Sequence, residues 1–322
     1  MRWVVFKGIV MEELKHVSVM LDECMEGLNV KPGGVYFDGT LGGGGHSSKI
    51  LELSNPDGKL IATDLDDYAL QRASKRLEKY QGRFTLVKEN FKNFTKVKNQ
   101  LNVDAFDGIL LDLGVSSFQL DDKSRGFSYL SADELLDMRM DNSSGFSAKT
   151  IVNEYSERDL KRILTDYGEE RFASQIAKNI VERRKTKPIE TVGELNEIIE
   201  KSIPAKFKKD GHPSKRTFQA LRIEVNGELT DLYETIMEMA LSLKKGGRIA
   251  IISFHSLEDR IVKRAFKELE IDCICDKSLP ICTCGKRKEI EILTKHPVVA
   301  SDEELKHNGR SKSAKLRIAE RV

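Results

Sequence analysis

Five glycines stand within seven residues, from Gly39 to Gly45, in the stretch FDGTLGGGGHS directly after the short apolar run 35–37. A glycine-rich turn between a strand and a helix lets the backbone approach a ligand and points the N–H groups of the helix N-terminus at it. By itself the pattern is compatible with a dinucleotide site, a phosphate loop, a site for S-adenosylmethionine, or a tight turn that binds nothing.

The residues that follow reduce these alternatives. A phosphate loop needs Gly-Lys-Ser/Thr, whereas Gly45 is followed by His46 and Ser47. Asp64 ends the apolar run KLIATD, 22 residues after Gly42. An acid at this spacing binds ribose hydroxyls in dinucleotide sites and in S-adenosylmethionine sites alike, although Asp64 could also be an ordinary turn residue. The dinucleotide and S-adenosylmethionine interpretations therefore both remain open here.

A third acid, Asp112, ends the run FDGILLD and precedes LGVSSFQL. In a doubly wound sheet the first and fourth strands flank the topological switch point, so Asp38, the glycine loop and Asp112 should line one crevice. A carboxylate there can accept hydrogen bonds from a bound cofactor or from a substrate. Asp112 could equally serve the cofactor alone, and the sequence does not separate these roles.

The elements that must position these residues alternate in the first third of the chain. Short β-rich runs at 35–38, 59–64, 83–88 and 106–113 are separated by helical stretches. This alternation indicates βαβ units and a parallel sheet.

From about residue 121 the pattern becomes helical, with a helix capped by Ser156 and another that opens with a Thr-x-x-Glu capping box at Thr191. A long helix is then predicted from about Lys215 to Leu243, followed by the strand GGRIAIISF, a helix from Ser256 and a hairpin-like region before the final AKLRIAERV. We therefore predict an α/β domain that a helical insertion interrupts after the fourth strand. A nicotinamide-binding fold would instead continue with a second mononucleotide-binding half.

The predicted helix KRTFQALRIEVNGEL has an apolar stripe and a polar row. The polar row recurs at helical spacing and comprises Lys215, Gln219, Arg222 and Asn226. Amide and guanidinium groups in such a row suit hydrogen bonding to a ligand; the alternative is that they anchor the insertion.

Charge and cysteine content add further constraints. Among 322 residues, 53 Lys and Arg against 51 Asp and Glu give a net charge of only +2, but basic residues cluster in 201–216 and 305–322. Such clusters suit phosphate contacts, although a basic run is more often a solvated face. No apolar run approaches the length of a membrane span and no signal peptide is evident, so we expect a cytoplasmic protein. The stretch CICDKSLPICTC contains four cysteines, Cys273, Cys275, Cys282 and Cys284. They could form a zinc site, or the stretch could be a hairpin whose thiols bind no metal.

Several long blocks resemble the bacterial 16S ribosomal RNA cytosine N4-methyltransferase family. They include HVSVMLDECMEGL, FDGTLGGGGHS, DGILLDLGVSSFQLDD, YGEERFASQIAKNIV, HPSKRTFQALRIEVNGEL, GGRIAIISFHSLEDRIVKRAF and RSKSAKLRIAERV. The resemblance covers nearly everything from about His16 to Val322. It implies a Rossmann-like seven-stranded class I methyltransferase domain formed by residues 11–120 and 215–322, an inserted α-helical domain at 121–214, and an extension at 1–10.

The resemblance also implies the ligands and the residues that bind them. S-adenosyl-L-methionine would be the cofactor and 16S rRNA in the small ribosomal subunit the partner, with neither DNA nor a membrane expected. The implied cofactor residues are Gly44, Gly45, His46, Asp64, Phe91, Asp112 and Gln119. We expect the substrate nucleotide to be bound by Arg216, Gln219, Arg222, Asn226 and His255, and Asp112 to be the candidate catalytic residue. A role for His255 in helix entry, beside a Ser256 cap, is the alternative, and no metal is expected in the site.

Overall fold

The computed structural model describes residues 18–116, 120, 122–141, 145–208, 212–276, 281 and 283–322. Its sheet consists of β1 (Val35–Asp38), β2 (Lys59–Asp64), β3 (Phe84–Lys88), β4 (Phe106–Asp112), β5 (Leu243–Ser253), β6 (Ile290–Ile292) and β7 (Lys315–Arg321). The first four strands confirm the predicted bounds to within one residue.

The strands form one seven-stranded sheet in the order β3-β2-β1-β4-β5-β7-β6. β1 to β5 pair in parallel, and β7 runs antiparallel to both of its neighbours. This is the Rossmann-like class I methyltransferase sheet that was predicted. The predicted closing hairpin is present as the antiparallel pair β6 and β7, although residues 293–314 separate the two strands.

Helices lie on both sides of the sheet and in the inserted segment. In chain order they are α1 (Leu21–Leu28), α2 (Gly45–Leu53), α3 (Asp67–Leu77), α4 (Phe94–Gln100), α5 (Ala148–Glu154), α6 (Glu157–Asp166), α7 (Ala173–Arg184), α8 (Val192–Ser202), α9 (Lys215–Asn226), α10 (Leu232–Leu241), α11 (Ser256–Glu270) and α12 (Asp302–His307). Among the described residues, no helix is long and apolar enough to cross a membrane.

The sheet is buried on both faces, which explains why its strands read as continuous apolar runs. Alternate residues point to opposite faces, so Tyr36 of β1 belongs to one apolar cluster and its neighbour Phe37 to the other. Both side chains are only 1% exposed. The buried strands therefore form a rigid platform whose carboxyl ends meet at one edge.

The inserted segment has its own apolar cluster. Ile151, Leu160 and Ile176 are fully buried in it, and the cluster extends into α9 through Phe218 and Leu221. Two helix starts follow the predicted capping chemistry: the Ser156 hydroxyl accepts from the Asp159 amide of α6, and Thr191 and Glu194 form the capping box of α8.

One predicted element is wrong. The single helix expected from 215 to 243 is two helices, because Gly227 adopts φ 56° and ends α9 in a left-handed cap whose N–H donates to carbonyls of the last turn. Asp231, also at φ 56°, precedes the start of α10. The Asn-Gly pair in the sequence is the helix-end signal that the amphipathic pattern concealed.

Candidate functional site

A cavity of about 820 Å³ opens at the carboxyl ends of the parallel strands, between the sheet and the inserted segment. Segments that follow each of β1 to β5 line it, and α9 lines the opposite wall. The structure brings nine of the predicted site residues to this cavity: Gly45, His46, Asp64, Phe91, Asp112, Gln219, Arg222, Asn226 and His255. Gln119 lies outside the described residues.

The glycine loop supports the cavity through close backbone packing. Gly44, at φ 71°, is the residue before α2, and a Cβ there would lie 3.1 Å from the Ala73 Cβ of α3. A Cβ on Gly45 would lie 1.9 Å from the Ser18 hydroxyl oxygen. A side chain at either position would displace its neighbours, so Gly44 shapes the loop by packing on α3 and does not itself line the cavity.

Asp64 connects the loop to the end of β2. Its two carboxylate oxygens accept hydrogen bonds from the Gly42 amide at 2.8 Å and the Asp66 amide at 2.9 Å. Each oxygen retains a further lone pair, so the carboxylate can also accept two ribose hydroxyls. Burial raises the pKa of Asp64 to about 6. Phe91 follows β3, lines the cavity nearby and is partly buried against the core, where its ring can contact a planar base.

Asp112 presents a buried oxygen that has no partner. Its Oδ1 has no solvent exposure and no hydrogen bond among the described residues, while its amide donates to the Thr40 hydroxyl at 2.6 Å. Burial, together with the charges of Asp38, Glu258 and Glu304, raises the pKa of Asp112 to about 8. A carboxyl in this state is ready to accept a hydrogen bond from a donor that enters the cavity.

His46 presents a second acceptor beside Asp112. Its Nε2 lies 2.9 Å from the Val19 carbonyl oxygen, which can only accept, so Nε2 carries the proton. Burial lowers the pKa of His46 to about 4, so the ring is neutral and its Nδ1 lone pair faces Asp112 Oδ2 at 4.0 Å. The Nδ1 lone pair of His46 and the unpartnered Oδ1 of Asp112 can together accept from a ligand amine or ammonium group.

The sequence also placed Asp38 in this crevice, and the structure corrects that expectation. Asp38 is 1% exposed and does not line the cavity. Its carboxylate accepts from the Ser47 hydroxyl at 2.6 Å and from the Thr40 amide at 3.1 Å. Asp38 therefore ties β1 to the glycine loop and α2 from below the cavity.

The polar row of α9 already has partners within the protein. Gln219 donates to the Tyr167 carbonyl at 2.9 Å, and Asn226 donates to the Met138 carbonyl at 2.8 Å. Arg222 forms a bidentate pair with Glu228, with both N–O distances at 2.8 Å. The contacts of Gln219 and Asn226 support the alternative that the row anchors the inserted segment; a role in RNA contact stays a prediction.

The structure separates Arg216 from the rest of this group. Arg216 does not line the cavity, because it lies on the exposed side of α9 and its guanidinium donates to the Glu169 carbonyl at 3.2 Å. It therefore has no place among the residues that the cavity brings together.

His255 lies at the start of α11 and faces the cavity. Its Nδ1 accepts from the Glu258 amide at 3.4 Å, and the Glu258 carboxylate accepts from the His255 amide, so His255 caps α11 in a capping box, and the cap expected at Ser256 is wrong. The His255 Nε2 is buried without a hydrogen bond, although it lies 3.2 Å from Glu258 Oε1. Helix entry and a ligand contact are therefore compatible roles for this side chain.

Sequence reasoning missed two acidic residues near His255 that line the cavity. Glu228 and Glu258 line the cavity with His255, and one ligand atom from each lies within 4.8 Å of the others. The guanidinium of Arg222 already neutralises Glu228 at this place, so the cluster is an ion-pair network. The His-x-x-Glu spacing in HSLE was the available signal for Glu258.

Nearly the whole chain is similar in sequence to a known family and to several named proteins. The sequence model of the MraW methylase family matches residues 13–322. A Clostridium botulinum (strain Loch Maree / Type A3) protein named "Ribosomal RNA small subunit methyltransferase H" is 54% identical over 310 residues, covering 96% of this chain and all of the relative. Proteins of the same name from Lachnospira eligens and Clostridioides difficile are 53% and 52% identical, covering 98% and 96% of this chain and all of each relative.

Proposed function

The chain belongs to the MraW methylase family, and from that premise we propose that it methylates the exocyclic N4 of a cytosine in the decoding region of 16S rRNA. S-adenosylmethionine, the predicted cofactor, is the methyl donor of this family's chemistry. The names of relatives that are 52–54% identical over their whole length support ribosomal RNA as the substrate. The observation that carries the proposal is the buried, unpartnered Oδ1 of Asp112 in a cavity shared by the glycine loop and the inserted segment.

The sheet side of the cavity would hold the cofactor. Asp64 offers lone pairs for the ribose hydroxyls, and Phe91 offers an apolar surface for the adenine. When bound there, the cofactor supplies an electrophilic methyl group on a sulfonium. The glycine loop lets backbone approach the ligand without side chains between them.

Asp112 would position the target amine. The lone pair of an exocyclic amine is delocalised into the ring, so the amine is a weak nucleophile unless its N–H groups are held by acceptors. Asp112 Oδ1 is such an acceptor at the end of β4. The nitrogen gains the methyl carbon as the carbon–sulfur bond breaks, and the nitrogen loses one proton. Because its pKa is about 8 without ligand, Asp112 is largely protonated at neutral pH, so it can take that proton only once the positive charge of a bound sulfonium favours its carboxylate form.

Basic side chains of the insertion and of the C-terminal segment would bind the RNA backbone. Lys206 and Lys208, within the basic cluster 201–216 of the insertion, are exposed, and Lys312 is an exposed residue on the cavity lining. Lys209 of the same cluster lies outside the described residues. Phosphate contacts of this kind fix position but not sequence, and the target base must leave its stack to reach Asp112.

Methyl transfer to defined RNA tests the proposal. Purified protein, labelled S-adenosylmethionine and small subunits that lack the modification are incubated, and the rRNA is digested to nucleosides for mass spectrometry. We expect label in N4-methylcytidine, and Asp112→Ala should reduce the rate by at least about a hundred-fold. Label in another nucleoside would reassign the target, and binding without any transfer would indicate a non-catalytic assembly protein.

A further inference from the structure

The segment between α11 and β6, residues 271–289, lies outside the proposed site and has few of the usual stabilising contacts. Its described residues form no helix or strand, and its apolar side chains Ile274 and Ile281 are 68% and 75% exposed. The ends are joined where the Glu289 amide donates to the Leu269 carbonyl at 2.8 Å. A loop of this length without secondary structure or a core is uncommon. Such a loop needs another stabilising interaction, such as a bound metal ion or a disulfide.

Three cysteines of this segment lie close together. The Sγ atoms of Cys273, Cys275 and Cys284 all lie within 4.8 Å of one another, and those of Cys273 and Cys284 are 3.9 Å apart. A disulfide would bring two sulfurs to about 2.05 Å. Two thiolates in a tetrahedral zinc site, each about 2.3 Å from the ion, lie about 3.8 Å apart. The observed separation is that of two ligands around a common ion.

Backbone amides point at each of the three sulfurs. The amides of Ile274 and Cys275 donate to Cys284 Sγ and Cys273 Sγ, both at 3.4 Å, and the amide of Thr283 donates to Cys275 Sγ at 3.3 Å. A neutral thiol is a weak acceptor, whereas a metal-bound thiolate carries charge that such donors stabilise. The amides are therefore arranged as an outer shell for metal-bound thiolates.

We propose that Cys273, Cys275 and Cys284 bind one zinc ion as thiolates and that this ion orders the 271–289 loop. Soft sulfur ligands select zinc over harder divalent ions. None of the three cysteines lines the 820 Å³ cavity, so the role of the ion is structural and separate from methyl transfer. Cys282, the remaining cysteine of the motif, lies outside the described residues and is not assigned to the site.

Metal analysis of the full-length protein tests this proposal. The chain is purified under reducing conditions, loaded with zinc chloride, passed into metal-free buffer and measured by inductively coupled plasma mass spectrometry. We expect one zinc per chain in the wild type and almost none in a Cys273→Ser/Cys284→Ser variant. Ile274→Ala, a change in an exposed side chain between two ligands, is the matched control and should keep its zinc.

X-ray absorption of the loaded wild type provides a second readout. Sulfur neighbours at about 2.3 Å would support thiolate ligation. A wild type that retains no zinc, a double-serine variant that retains as much as the wild type, or a spectrum with only nitrogen and oxygen neighbours would each overturn the proposal. Circular dichroism verifies that the double-serine variant is folded, so a loss of zinc reports on the ligands.

Discussion

At the scale of single residues, Asp112 and His46 place acceptor atoms side by side in the cavity. The Oδ1 of Asp112 is buried without a partner, and the neutral His46 turns a lone pair toward the same carboxyl group. Such an arrangement costs folding free energy, because buried polar groups without partners lose their hydration. It becomes favourable when a ligand supplies the missing N–H groups, which is how a preorganised site binds an amine.

The cost should appear in the pH dependence of the ligand-free protein. The pKa of Asp112 is raised to about 8 in the folded state. Ionisation of Asp112 therefore does not reduce the free energy of unfolding below about pH 4, and reduces it progressively as the pH rises through 8. Asp112→Asn removes this penalty, and its free energy of unfolding should exceed that of the wild type by more than about 1 kcal/mol at pH 9. Urea titrations at pH 5, 7 and 9 measure the difference.

The comparison has a matched control in Asp104→Asn, which alters an exposed carboxyl group. The stability difference caused by Asp112→Asn should grow between pH 5 and 8 and then level off. A difference that is independent of pH, or a variant less stable than the wild type at pH 9, would contradict the electrostatic description of Asp112.

At the scale of elements, α9 connects the inserted segment to the methyltransferase sheet. Phe218 and Leu221 pack into the core of the insertion, while Arg222 turns toward the cavity and pairs with Glu228 beyond the helix end at Gly227. The side chains of Arg222 and Glu228 are only 18% and 9% exposed. The ion pair therefore fixes the turn that leads from α9 into α10.

Breaking one side of this pair should be costly. Arg222→Ala leaves the Glu228 carboxylate buried and unpaired, so we expect a loss of about 3–5 kcal/mol in the free energy of unfolding. Arg222→Met combined with Glu228→Gln removes both charges and should recover most of that loss. Chemical denaturation of the variants gives the coupling, and Arg216→Ala on the exposed side of α9 should change stability by less than about 0.5 kcal/mol. A double variant as unstable as Arg222→Ala would show that packing, not charge, is responsible.

The sequence predicts correctly those strands and helices whose bounds are marked by nearby residues. β1 and β2 are apolar runs closed by an aspartate, and their bounds match the structure because burial on both faces leaves no alternating pattern to misread. The helix end at Gly227 was missed because the amphipathic pattern continues past it. The partners of the α9 row were beyond prediction, because Met138 and Tyr167 reach Asn226 and Gln219 only through the packing of the insertion.

At the scale of the whole molecule, one cavity is built from two parts. The sheet provides the glycine loop, Asp64 and Asp112, and the insertion with α9 provides the facing wall. Three apolar clusters, two on the sheet and one in the insertion, underlie this division, and we propose that the insertion is the substrate-recognition domain. The core of the insertion extends to Leu221 in α9, so α9 packs with the insertion although its residues were assigned to the methyltransferase domain.

Calorimetric titration of S-adenosylmethionine into the wild type, Asp64→Ala and Arg222→Ala tests this division most directly. We predict one cofactor per wild-type chain. Asp64→Ala should weaken binding by about 1–3 kcal/mol, a factor of about five to more than a hundred, because the ribose loses its charged acceptor. Folded Arg222→Ala protein should bind as the wild type does, since we propose that this side chain faces the substrate and not the cofactor. Wild-type affinity in folded Asp64→Ala protein would contradict the placement of the cofactor at the carboxyl end of β2.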